Sequence, residues 1–285
     1  MTSMEPSPFQ RMKFNTKVKI QRALKEALMS ILDCSLVAFY PAVQAEHVRG
    51  FFSRLSPANT DRGLIRIGNR NDGGYLIPND LAGVRACFSP GVSTMADFEL
   101  GLSQRGIRCF LADYSVESAP VSNDLISFEK RFLGTLDDSV YMTLASWLNR
   151  HAEPDDNDLI LQMDIEGAEY DVLIGTSIEI LRRFRIIVIE FHFLDELFSP
   201  AGFKLIDAAF SKLLKSFKIV HIHPNNSTEP LKFRDLVVPP VMEVTFLRSD
   251  RISEATPSRV FPHELDAPCC AWRQDYPVPL CWYRT

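Results

Sequence analysis

The sequence predicts an α/β fold: a doubly wound, mostly parallel sheet with an antiparallel strand near its C-terminal end, preceded by a helical segment. Three observations predict it. From Val84 onward, short apolar runs rich in β-branched and aromatic residues alternate with segments of helical period. Several of these runs end abruptly in an acid or a histidine, as in LQMDIEGAEYDVLIG. The last two runs, VHIHPNN and VMEVTFLR, are joined by a stretch carrying Pro230, Pro239 and Pro240 with no helical period, so no crossover helix links them.

Taken in order, the strand-like runs are VRACFS, IRCFLAD, LILQMD, RIIVIEFH and FKIVHIH, with a weaker one within ISFEKRFLG. Between them lie the helical segments DFELGLSQRG, VYMTLASWLNRH, EYDVLIGTSIEILRRF and FKLIDAAFSKLLKSF. Strand, helix, strand repetition means parallel pairing through right-handed crossovers. The final pair, VHIHPNN and VMEVTFLR, is predicted to be antiparallel, as a long hairpin. Ahead of the sheet, residues 17–40 place Ile20, Leu24, Leu28 and Ile31 or Leu32 at helical spacing, a cap or dimer element. RGLIRIGNRNDGGYLIPNDL carries an Asn-Asp-Gly-Gly turn between two apolar runs and reads as a hairpin or tight loop. The expected organisation is a helical extension over 1–60, a main domain over 61–250, and an irregular tail over 251–285 packing on it.

Composition excludes some partners. The 285 residues are 46% hydrophobic and carry a formal net charge of -5, with no basic stripe to release counterions from a phosphate backbone, so nucleic acid is not an expected partner. The apolar stretch SLVAFYPAV is interrupted by Pro41 and is too short to span a bilayer, and MTSMEPSPFQRMKF has no secretory pattern. The six cysteines form no CxxC pair, which suits a reducing compartment, and a cytoplasmic protein with no membrane partner is expected.

In an open α/β sheet, ligands bind beyond the carboxyl ends of the strands, where strand order reverses. There the sequence puts Gly91 in SPGVS, where a glycine allows close backbone approach. Asp113 follows at the spacing from which an acid can accept hydrogen bonds from a ribose diol. Later strands end in Asp164, Glu166 and Gly167, then Glu190, Phe191 and His192, then His221, His223, Asn225 and Asn226. Each alone reads as a cap, a turn or a satisfied core histidine. Jointly they are costly to bury without a ligand, a metal or mutual pairing. Glu166 is expected to cap the helix starting near Ala168 or to orient a neighbour.

These residues also carry a resemblance. LQMDIEGAEYDVLIG resembles the D-[IV]-E-G-[AS]-E signature of the FkbM family of methyltransferases, and RIGNRNDGGYLIPNDL resembles the DGGY lead-in of a bacterial branch of it. CFSPGVSTMADFELGLSQRG, VIEFHFLDEL, HIHPNN, PPVMEVTFLR and FPHELDAP follow in family order, so the resemblance covers roughly residues 64 to 268. It implies a Rossmann-like class I methyltransferase sheet that binds S-adenosyl-L-methionine and methylates a hydroxyl of a small molecule or saccharide. The cofactor positions it implies are Ser89, Gly91 and Glu99 around the first loop, Asp113 for the ribose, Asp164 beside the reacting centre, and Asp72 and Tyr75 over the methionine end. Pro90 departs from the glycine-rich first loop of many methyltransferases.

A hydroxyl acceptor must lose a proton, which calls for a base or a metal. His192 or His223 is the base in one reading. In the other, Asp164 and Glu190 with an imidazole or Asn225 hold a divalent cation. Both stay open, as does a noncatalytic binding or scaffolding role. A nicotinamide oxidoreductase is disfavoured because no GxGxxG opens the first helix.

Overall fold

The computed structural model describes residues 41–283. The helix expected over 17–40 lies outside the described residues. Seven strands build the central sheet: β1 (Ala86–Pro90), β2 (Arg108–Ala112), β3 (Ile126–Glu129), β4 (Leu159–Met163), β5 (Phe184–Phe191), β6 (Phe217–Pro224) and β7 (Met242–Arg248). Their spatial order is β3-β2-β1-β4-β5-β7-β6. The first five pair in parallel, and β7 runs antiparallel to both neighbours, β5 and β6. Strand order reverses between β1 and β4, which opens a crevice at their carboxyl ends.

The antiparallel partner of the last strand pair was legible, but its position was not. β7 inserts between β5 and β6, leaving β6 at the edge. The proline-bearing connection folds into its own small hairpin, Leu231–Phe233 against Leu236–Val238. The DGGY segment is an antiparallel hairpin, Leu64–Ile67 with Tyr75–Pro78.

Six α-helices lie among the described residues: α1 (Ala45–Phe52), α2 (Asp97–Ser103), α3 (Leu144–His151), α4 (Glu169–Gly175), α5 (Ile178–Leu181) and α6 (Pro200–Leu213). Two helical segments start later or break earlier than their sequence periods suggest, and capping explains both. Thr143 accepts from the Ser146 amide at 3.2 Å and starts α3, so Tyr141–Thr143 is freed to pair with Phe132–Gly134. Ser177 accepts from the Ile180 amide at 3.3 Å and begins α5, which splits the expected single helix after Gly175. Ser199 accepts from Gly202 at 3.0 Å and Pro200 takes the first turn of α6.

Side chains alternate across the sheet into two apolar layers. Phe88, Phe110, Leu161, Ile187 and Ile189 face one layer with Trp147, Phe210 and Trp282. Cys87, Cys109, Leu111, Ile160, Ile186 and Val188 face the other with Phe98 and Ile107. Phe51 and Phe52 of α1 join the first layer, their rings 5.3 Å from Phe210 and 4.7 Å from Trp282. Truncating a fully buried residue such as Leu161 to alanine would cost about 2–5 kcal/mol. This covering of both faces leaves the strand ends as the place where polar groups can gather.

Candidate functional site

The crevice at the β1/β4 reversal is a cavity of about 620 Å³. Its walls include Asp72, Tyr75, Gly91, Glu99, Asp113 and Asp164, all six expected from sequence. Among the described residues that line it there is no lysine or arginine.

The backbone builds this floor first. Gly91 has φ +88°, and a Cβ there would lie 1.5 Å from the Asp164 carbonyl oxygen, so only glycine lets the β1 and β4 loops meet. Pro90 has no N–H to offer, but its carbonyl accepts from Asp164 N at 3.3 Å, and Gly91 N donates to Ala112 O at 2.8 Å. The loop is therefore tied to both neighbouring strands with a proline in place.

On the β2 side, the Asp113 carboxylate accepts from Ser93 N at 2.9 Å and from Ser115 N and Oγ at 2.7 Å each. An ionised carboxylate has about four acceptor directions, so roughly one stays free for an incoming hydroxyl. Phe132 and Tyr141 line the same cavity, with ring centroids 5.8 Å apart.

Deeper in, Ser89 does not reach the cavity. It bonds instead to Glu99 and, at 2.5 Å, to Gln162, whose amide also reaches the Tyr75 hydroxyl at 3.3 Å. Burial pushes Glu99 up to about 7 and raises Tyr75 well above the ordinary tyrosine value. Asp72 is also raised, by burial and then by the charge of Glu243.

On the β4 side, the motif DIEGAE folds around its second glutamate. Glu169 is fully buried, and its Oε1 accepts from Ile165 N and Gly167 N at 3.1 Å each. The same oxygen pairs with His192 Nδ1 at 3.2 Å. Gly167, at φ +105°, makes room for the Phe193 ring, which would lie 2.4 Å from an added Cβ. Tyr170 OH donates to the His192 carbonyl at 2.6 Å. His192 is thus oriented from both sides by α4.

The cap expected of Glu166 is not made: its side chain is 88% exposed and the α4 N-cap, Ala168, has no side-chain bond, while Glu169 ties down the loop amides that precede the helix. Glu169 was missed as a site residue, although the final letter of the signature marked it. Gln162 was missed too, and a lone amide inside the apolar run LILQM was its signal.

His192 Nε2 faces three carboxylates: Glu166 at 3.5 Å, Asp164 at 3.8 Å and Glu190 at 4.0 Å. Burial pulls the imidazole down, but Glu169, Asp164 and Glu166 more than offset it and raise it above 6.5. Burial lifts Asp164 to about 7 despite the opposing pull of His192, and lifts Glu190 well above the carboxylate range. Asp164 Oδ1 and Glu190 Oε2 are buried without a hydrogen-bond partner. Donor atoms of Asp164, Glu190 and His192 converge within 4.8 Å, a mixed oxygen and nitrogen set that fits a hard divalent cation.

Two expected members stand elsewhere. Asn225 turns its amide to Glu190 Oε1 at 2.7 Å, and its oxygen accepts from Ser227 N at 2.8 Å, so His192 occupies the place given to it. His223 does not line the cavity. Burial lowers it, but Asp275 and Glu243 dominate and push it up to about 10, which keeps it protonated and unfit as a base near neutral pH.

The strand order, with an antiparallel strand beside the β6 edge and a cavity at the reversal, is a Rossmann-like arrangement consistent with a methyltransferase fold. Residues 112–217 match the model of the methyltransferase FkbM domain. Asp113, Asp164, Glu169 and His192 fall inside the matched segment. Among solved structures, the chain is similar to the mitomycin 7-O-methyltransferase MmcR at 10% identity and a TM-score of 0.30. The likeness covers 72% of this chain and 54% of that one, so it spans little more than half of MmcR and carries nothing about substrate. No curated protein matches the sequence. No described helix is long and apolar enough to cross a membrane.

Proposed function

We propose that the protein uses S-adenosyl-L-methionine to methylate a hydroxyl group of a small molecule or saccharide. One observation carries this reading. Asp113 and Asp164 follow strands on opposite sides of β1, two strand spacings or about 10 Å apart, and line a single cavity, and His192 Nε2 stands behind Asp164 at 3.8 Å.

The bound cofactor supplies a methyl group on a positively charged sulfonium, which departs as a neutral thioether. The remaining work belongs to the chain. Asp113, fixed by Ser93 and Ser115, accepts from a ribose hydroxyl. Gly91 and its neighbours let the ligand approach the backbone, and Asp72, Tyr75 and Glu99 bound the far end. The desolvated Asp164 carboxylate gains from a cationic neighbour. His192 Nε2 takes the acceptor's proton while Glu169 holds Nδ1, which fixes the tautomer and stabilises the imidazolium that forms. Alignment of the two reacting partners supplies the rest of the barrier lowering.

Calorimetric titration with S-adenosylhomocysteine tests the cofactor half. Saturable binding that Asp113→Ala loses supports it, and no binding by the folded protein overturns it. Transfer of labelled methyl groups to a panel of saccharide and polyketide hydroxyls tests the acceptor half. A second reading, in which Asp164, Glu190 and His192 hold a divalent cation that acidifies the hydroxyl, is favoured by the unpartnered oxygens of Asp164 and Glu190. Transfer lost to a chelator and restored by magnesium or manganese would select it. Cofactor binding with no transfer to any acceptor would select a noncatalytic binding role.

A further inference from the structure

A second group of donors lies beside the cavity, where β6 and β7 meet the segment 269–275. Glu243 of β7 stands in register with His223 of β6 on one side and with Glu190 of β5 on the other. Cys269 Sγ lies 3.1 Å from Glu243 Oε1, and His223 Nδ1 lies 3.7 Å from Glu243 Oε2. One donor atom from each of the three falls within 4.8 Å of the others, and all three residues are buried.

The spacing between donors is informative. At 3.7 Å the imidazole and the carboxylate are beyond hydrogen-bond reach of one another. Ligands bound to one tetrahedral zinc at ordinary bond lengths stand about 3.3–3.8 Å apart. The rest of the histidine is arranged accordingly. Its other nitrogen, Nε2, pairs with Asp275 Oδ2 at 3.1 Å, the carboxylate–histidine arrangement that fixes a metal-binding imidazole with Nδ1 outward.

The segment itself is pinned, because the Asn226 amide donates to Cys270 O at 3.0 Å and accepts from Cys270 N at 2.7 Å. His221 and Asp266 pair at 2.8 Å alongside. A thiol donating to a carboxylate would account for Cys269 and Glu243 in the metal-free protein, with the imidazolium of His223 between Asp275 and Glu243, and metal uptake would replace those protons with the ion.

We propose that His223 Nδ1, Glu243 and Cys269 Sγ form a zinc-type metal site that fastens the segment 269–275 to the β6 edge of the sheet. A thiolate, an imidazole and a carboxylate are the donor types zinc takes, and the soft sulfur separates this site from the oxygen-rich group at Asp164. Binding displaces the thiol proton of Cys269 and a ring proton of His223 into solvent, so uptake of one ion releases protons. The site also reaches the cofactor cavity. The Cys269 carbonyl accepts from Asp72 N at 3.3 Å, and Asp72 lines that cavity.

Cobalt(II) titration of the full chain, freed of metal by chelation, tests the proposal. The expected result is one equivalent of cobalt giving a thiolate charge-transfer band in the near ultraviolet, bleached by added zinc. Cys269→Ser should abolish that band, and His223→Gln should weaken cobalt affinity at least tenfold. Cys270→Ser and Asp164→Asn should leave the band in place. A folded wild-type protein with no such band at saturating cobalt overturns the proposal, as does a band that survives Cys269→Ser. Should the cysteine variant fail to fold, X-ray absorption of the zinc-loaded wild type decides: one sulfur ligand supports the site, and a shell of nitrogen and oxygen alone overturns it.

Discussion

The two flanks of β1 handle charge in opposite ways. On the β2 flank, Asp113 accepts three hydrogen bonds from two serines. On the β4 flank, Asp164, Glu169 and Glu190 each leave a buried oxygen without a partner, and Asp164 and Glu190 are pushed far above the carboxylate range. The first flank is nearly completed by the protein's own donors, so it is suited to recognition of a neutral polar ligand. The second is held in an electrostatically unfavourable state, and such states concentrate where chemistry or ion binding compensates for them. Under the proposed function, binding and reaction are divided across one strand.

The largest effect that would break this division is at His192. His192→Ala should lower methyl transfer about a hundred- to ten-thousandfold while leaving S-adenosylhomocysteine affinity within a factor of a few, read by turnover and calorimetry in parallel. Equal loss in both measurements would merge the two flanks into one binding unit.

Asp113→Ala is the reciprocal test. Losing a charge-assisted hydrogen bond should weaken cofactor affinity roughly ten- to hundredfold, with saturating turnover less affected. A variant that binds normally would remove Asp113 from the cofactor's ribose.

The orienting role of Glu169 sharpens the comparison through pH. His192 is raised above 6.5 by Glu169, Asp164 and Glu166, so transfer should rise with pH as the imidazole loses its proton above that value. Glu169→Gln should shift this limb to lower pH and reduce the rate about tenfold. An unshifted profile with a normal rate would mean that another group is the base.

The smallest effect is on stability and has an unusual sign. Asp164 and Glu99 are held near 7 in the folded chain against ordinary values of 3.8 and 4.5, so the native state binds more protons between those limits. Stability should then fall as pH rises from about 4 to 7 and level off above. Asp164→Asn removes its share, so at pH 8 it should raise the unfolding midpoint by a few degrees while lowering activity. A lower midpoint would show that the carboxylate is stabilised by its surroundings.

Much of this was legible in the sequence because it depends on periodicity and on local backbone demands. Alternating runs gave the strands, proline in the last connection excluded a crossover helix, and Gly91 marked a close approach. Polar residues at the ends of apolar strands pointed to the cavity, and six of the seven expected cofactor residues line it. Ser89 fell behind Glu99 because a strand's alternation sends its side chain to a buried neighbour, which no spacing reveals. Asn225 and His223 were expected from their place at a strand end, but partners far along the chain, Glu190 and Asp275, set their orientations.

The order of β7 and β6 shows the same limit. Antiparallel pairing follows from the connecting segment, but insertion beside β5 depends on which edge offers matching hydrogen bonds and apolar faces, a property of the assembled sheet. The sequence by itself determined the class of sheet, the acids at its strand ends and the signature around Asp164, since each rests on residues within one or two turns of one another. Only the tertiary structure decided that Glu169 orients His192, that Glu190 faces Asp164, and that Cys269 meets His223. Those pairings join separate elements, and close packing of the completed core fixes which of many possible neighbours meet.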